Sequence, residues 1–142
     1  MPKRTKAVVF DLGDTVFHAT RYDREAGIRR LLSHADHLDG VTVEQIAERG
    51  REIDRRLETS CVAEHLEYRQ VDYHRLLYGS FGISLALSDD EAERLYWEHS
   101  LSFETEPDIA GVLTALEERG LRMAVISNAV YSSKVLSGEL ER

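Results

Sequence analysis

The feature that most constrains this chain is the abrupt change of character at Asp11. Ala7, Val8, Val9 and Phe10 form an unbroken apolar run, β-branched at its centre, that stops at a carboxylate. A run of that length and composition predicts a short strand buried on both faces, as in a parallel sheet. Leu12, Gly13, Asp14 and Thr15 follow at once. Parallel sheets gather their ligands at the carboxyl ends of strands, so Asp11 is expected where α/β proteins keep their chemistry. Asp, Gly and Thr are also ordinary turn residues, and the same stretch taken alone suits a strand ending in an Asx-type turn.

Composition narrows the function classes. The chain has 142 residues, 42% of them apolar, which suffices for one core. Its 26 acidic and 18 basic residues leave a formal charge of −8. Such a balance opposes binding along a phosphate backbone, so no nucleic acid is expected as a partner. Cys61 is the only cysteine, which excludes an internal disulfide and matches none of the zinc spacings. A reducing, cytoplasmic setting is expected. Pro2, Lys3, Arg4 and Lys6 make a basic start, but the apolar run behind them is too short for a signal peptide. No window approaches the roughly 18 consecutive apolar residues of a membrane span.

From Phe17 to about Phe103 the pattern is helical and rich in charge. Asp23 is placed to cap a helix from Arg24 that carries Ile28, Leu31 and Leu32 on one face. Thr42 with Gln45, and Ser88 with Glu91, have the capping-box spacing. The first opens a helix through Ile46, Ile53 and Leu57, and the second precedes Leu95, Tyr96, Trp97 and Leu101. Leu66, Tyr73, Leu76 and Leu77 make another helix, ended by Gly79 and Gly82. About four helices are expected, with no strand between them. Tyr68, Tyr73, Tyr78, Tyr96 and Trp97 read as packing residues. His34 and His37 lack further ligands nearby and read as surface histidines.

After Pro107 the α/β pattern returns. Ile109, Val112, Leu113 and Leu116 form one apolar helix face, and Gly120 is a C-terminal stop. Met123 to Ile126 then reads as a second buried strand ending in Ser127 and Asn128. Val135, Leu136 and Leu140 continue in a further helix. Ser and Asn at a strand exit are common turn and N-cap residues, so this pair gains weight only together with Asp11.

Taken together, VVFDLGDTV, the helical insert and PDIAGVLTALEERGLRMAVISN resemble the amino-terminal part of the haloacid dehalogenase-like (HAD) hydrolases. The resemblance implies an α/β, Rossmann-like parallel sheet core, incomplete in this chain, with an inserted all-helical cap. The core would comprise 1–16 and 104–142 and the cap 17–103. In the family the first Asp of D-x-D-x-T attacks phosphorus or a C–Cl carbon, and Asp11 matches it. The second Asp is the family's acid/base and its backbone carbonyl is a Mg²⁺ ligand; Gly13 stands there and retains only the carbonyl. Asp11 and Gly13 are thus the implied metal ligands, and Thr15, Ser127 and Asn128 the implied phosphate contacts, Asn128 alternatively capping the next helix. Asp14, one place beyond Gly13, either supplies the missing acid or merely bonds the turn. His18, Arg21 and Tyr22 either face the cleft or are solvated linker residues.

The reading that follows is a Mg²⁺-dependent phosphatase acting on a small phosphorylated metabolite through an aspartyl-phosphate. A 2-haloacid-type dehalogenase is the alternative, because such members also lack the second Asp, and a non-catalytic HAD-like binding or assembly module is another. The family's third-motif Lys and fourth-motif acids find no match, Lys134 being too close behind Ser127. Completion by a missing carboxyl-terminal segment, or self-association, is therefore expected.

Overall fold

The computed structural model describes residues 5–64 and 66–141. The basic start read at Pro2, Lys3 and Arg4 lies outside the described residues. The elements in chain order are β1 (Ala7–Asp11), β2 (Phe17–Tyr22), α1 (Arg24–Leu32), α2 (Val43–Glu64), α3 (Gln70–Gly79), α4 (Asp89–Ser100), β3 (Leu101–Thr105), α5 (Ile109–Glu118), β4 (Arg122–Ile126) and α6 (Ser133–Leu140). The fold class is α/β as expected: a parallel strand pair, consistent with an incomplete Rossmann-like core, with a helical insertion. The chain divides into two compact units, Met1–Arg21 with Ser102–Asn128 and Tyr22–Leu101 with Ala129–Arg142.

In the first unit β1 and β4 pair in parallel, with Ala7 opposite Arg122 and Asp11 opposite Ile126. Helix α5 supplies the crossover, because parallel strands cannot be joined by a tight turn. It stops where expected: Gly120 takes φ 67° and donates its N–H to the Glu117 carbonyl, while the Leu121 N–H reaches Leu116. The strands depart from the sequence reading in their burial. Val9 is 60% and Ile126 68% exposed, and every residue of β4 is exposed. The physical reason is that the faces of a parallel sheet are buried by helices packed on them, and among the described residues this unit holds α5 as its one helix. A second ribbon, β2 paired with β3, also falls where the sequence reading had no strand. Phe17 meets Phe103 edge to face there, with ring centroids 4.9 Å apart.

The second unit is built from α1 to α4 with no strand between them, as the helical periodicity predicts. Asp23 caps α1, its carboxylate accepting from the Ala26 N–H at 2.9 Å. Both capping boxes form: Thr42 with Gln45 and Ser88 with Glu91 exchange backbone and side-chain bonds. Ile28, Leu31, Ile46, Ile53, Leu77 and Tyr96 form the core. Gly27 is what lets α1 approach α4, because a Cβ there would stand 2.6 Å from the Tyr96 ring. The segment Ala129–Arg142 belongs to this unit. Helix α6 buries Val135 and donates from the Ser132 N–H and hydroxyl to the fully buried Glu93 carboxylate, while the Trp97 indole N–H reaches Glu139 at 2.9 Å.

Within this core His74 is 5% exposed, and its Nε2 lies 2.8 Å from the Gln70 side-chain nitrogen. Burial lowers its pKa from 6.5 to about 4. The unfolded chain binds this proton below 6.5 and the folded chain only below about 4, so the stabilisation is full above that window and is lost as pH falls through it. By linkage the loss amounts to up to about 3 kcal/mol. Denaturant titrations at successive pH values are expected to show the unfolding free energy falling across this window, and His74→Gln should flatten the fall.

Candidate functional site

The candidate site lies at the carboxyl end of β1 and is built within the first unit. Strand β1 ends because Leu12 turns inward, only 2% exposed, and anchors the loop that follows. The Leu12 carbonyl accepts N–H bonds from Val16 at 2.9 Å and from Thr15 and Phe17 at 3.4 Å, while Asp14 N–H donates to the Phe17 carbonyl at 2.9 Å. These bonds fold Phe17 back beside Gly13, with which it forms a bridge. Closing so tight a loop requires Asp14 to adopt a left-handed backbone, φ 55°. Asp is one of the few residues besides Gly that tolerates this conformation.

The parallel register decides which predicted residues come together. Asp11 stands opposite Ile126, so Asp11 and the next residue of the second strand, Ser127, leave the same edge of the sheet. Asp11 is exposed and Ser127 half-buried. Asn128 is exposed beyond Ser127, and the cap of α6 falls not to it but to Ser132, whose hydroxyl accepts from the Val135 N–H. Thr15 is exposed with its N–H committed to the loop. Gly13 is exposed, and nothing lies within 4 Å of where a Cβ would stand, so the backbone there is open to approach. Asp14 is exposed in the loop, and among the described residues its carboxylate has no hydrogen bond or ion pair.

Three polar residues past the loop separate. His18 Nδ1 lies 2.7 Å from Glu106 Oε1, both side chains about a third exposed at 36% and 29%. Arg21 is exposed. Tyr22 belongs to the helical unit, its hydroxyl 2.9 Å from that of Tyr96 and its ring under the Arg24 guanidinium. Arg24 in turn donates to the Tyr73 hydroxyl at 2.7 Å and to Asp54. Glu106 was missed by sequence reasoning because nothing in its neighbourhood before Pro107 marks it; its role follows from the β2–β3 pairing. Among the described residues no group of three His, Cys, Asp or Glu is arranged to hold a metal, and His37 simply lies 3.7 Å from Asp39 on the surface. No described helix is long and apolar enough to cross a membrane.

Comparison with family models and with curated proteins found no match. Among solved structures, a crystal structure of a dehalogenase is similar with a TM-score of 0.41 and 18% identity, over 99% of this chain and 58% of that one. The chain thus spans less than two thirds of that dehalogenase's length.

The loop makes a local prediction. Because Asp14 holds a left-handed backbone, Asp14→Gly is expected to preserve or raise stability by up to about 1 kcal/mol. Asp14→Val should lower it by about 1–2 kcal/mol, since a β-branched residue is strained at positive φ. Chemical denaturation of the two variants against the parent measures both.

Proposed function

We propose that this chain carries the nucleophile and phosphate anchor of a HAD-like hydrolase, most simply a phosphatase for a small phosphorylated metabolite. The observation that carries the reading is the register of β1 and β4, in which Asp11 and the residue before Ser127 are partners. A carboxylate and a hydroxyl at one strand edge suit attack on a phosphoryl group whose nonbridging oxygen the hydroxyl holds. An Asp11 oxygen would form a bond to phosphorus in line with the departing ester oxygen, and water would then release phosphate and restore the carboxylate. Thr15 and Asn128 are further donors for the phosphoryl oxygens.

An anionic nucleophile approaching an anionic ester is repelled, so the site needs positive charge. The chemistry of the donors suits Mg²⁺: the Asp11 carboxylate and the Gly13 carbonyl are both hard oxygen ligands. One or two protein ligands, with water and substrate phosphate completing the shell, is the usual arrangement for this ion. When bound, it would supply the charge neutralisation on which phosphoryl transfer depends. Asp14 is the carboxyl adjacent to Gly13 that could protonate the leaving group.

Gly13, standing where phosphatases carry their second acid, favours one other reading, a dehalogenase in which Asp11 displaces halide from carbon. Assays on the full-length protein separate the two. With Mg²⁺ and p-nitrophenyl phosphate, turnover is expected that Asp11→Asn removes and that Ser127→Ala lowers by about 10²- to 10³-fold, the usual effect of deleting one preorganised donor. Circular dichroism should show both variants folded. Halide release from a 2-chloro acid with no phosphate release would transfer the assignment to dehalogenation, and Asp11-independent turnover would end both.

A further inference from the structure

Leaving-group protonation is the step for which the catalytic loop is least equipped. Gly13 has no side chain, and Asp14 is exposed without a fixed partner among the described residues. The structure holds a different proton carrier beside the same loop. Phe17 is folded back onto Gly13, so His18, the next residue, emerges at the loop's base. The Glu106 N–H donates to the Val16 carbonyl at 2.9 Å, and the Glu106 carboxylate meets His18 Nδ1 at 2.7 Å. One residue therefore grips the loop with its backbone and the imidazole with its side chain. The Phe17–Phe103 contact joins β2, which carries His18, to β3, which ends one residue before Glu106.

We propose that His18 is the general acid and base of this site and that Glu106 is its positioning residue, an assignment that rests on the phosphatase reading. A carboxylate accepting from Nδ1–H sets the ring's orientation and stabilises the imidazolium, leaving Nε2 to exchange a proton with substrate. Among the described residues the ring makes no other hydrogen bond. Both side chains are partly desolvated yet reachable, at 36% and 29% exposure. As Asp11 oxygen bonds to phosphorus and the P–O ester bond breaks, the imidazolium gives its Nε2 proton to the departing alkoxide. The neutral ring then takes a proton from water as that oxygen attacks the aspartyl-phosphate phosphorus. Phosphate and the Asp11 carboxylate are released, and the imidazolium is restored.

A merely structural role is the competing explanation, since a partly exposed His–Glu pair linking β2 to the residue after β3 is worth little more than about 1 kcal/mol. The two roles differ in their dependence on the leaving group. In the full-length protein, His18→Gln is expected to slow an alkyl phosphate such as glycerol phosphate by about 10²- to 10⁴-fold, while p-nitrophenyl phosphate, whose leaving group needs no proton, slows by less than about 10-fold. Glu106→Gln should give a smaller loss with the same alkyl selectivity. Equal losses for both esters, or none, overturn the assignment and make the pair structural. An alkyl-selective loss in Asp14→Asn with none in His18→Gln also overturns it and moves the proton to Asp14. If the parent shows no Asp11-dependent phosphatase turnover, the phosphatase reading itself fails and this assignment goes with it.

Discussion

Parallel pairing of β1 with β4 is the constraint on which the rest of this structure depends. A parallel partner cannot follow through a hairpin, so everything between Asp11 and Arg122 must leave the sheet and return on the other side. The chain does this with two nested devices. In chain order the β2–β3 ribbon brackets the helices α1 to α4, and α5 then makes the crossover into β4. Because both paired strands run the same way, their carboxyl ends coincide, and Asp11 and Ser127 become neighbours despite their separation in sequence. The hooked loop at Leu12 starts the departure: one carbonyl accepting three N–H groups turns the chain inside a few residues and leaves Gly13 open.

The helical unit is held by a different balance. Its apolar core supplies the bulk of the stabilisation, but polar groups within it are committed to specific partners. Arg24 bridges α1 to α2 and α3 through Asp54 and Tyr73, and it fits only because Gly50 has no side chain: a Cβ there would stand 2.8 Å from the guanidinium. Burial pushes the Tyr73 hydroxyl pKa well above its ordinary value, so the group remains a neutral hydrogen-bond partner. Glu93, 1% exposed, is tolerated because Ser132 donates to it twice. That pairing ties the segment after Asn128 to the helices.

Much of this was legible in the residues. Apolar spacing and side-chain caps act over a single turn, so the helix starts at Asp23, Thr42 and Ser88 and the stop at Gly120 are found where local chemistry puts them. The two short apolar runs mark β1 and β4 as strands, whereas the shared edge at Asp11 and Ser127 comes from their parallel register, a long-range property. What local pattern did not reveal depended on long-range partners. Strand β3 alternates, with Leu101 and Phe103 half-buried and Ser102 and Glu104 exposed, but the segment is short and adjoins α4, so helical periodicity masked it. The exposure of Val9 and Ile126 reflects how much of the sheet's faces helices cover within this unit, which the apolar runs themselves do not encode. Glu106 became meaningful only through its contacts with Val16 and His18, which are distant in sequence.

As the proposed nucleophile, Asp11 would become covalently loaded during turnover. An acyl phosphate is reduced by borohydride to an alcohol, whereas a free carboxylate is not. Full-length protein turning over a phosphate ester, quenched with borohydride and digested, should yield the peptide spanning Asp11 with homoserine at that position, and no such product without substrate. Phosphate release with Asp11 recovered unmodified, or homoserine at another carboxylate, would contradict the account.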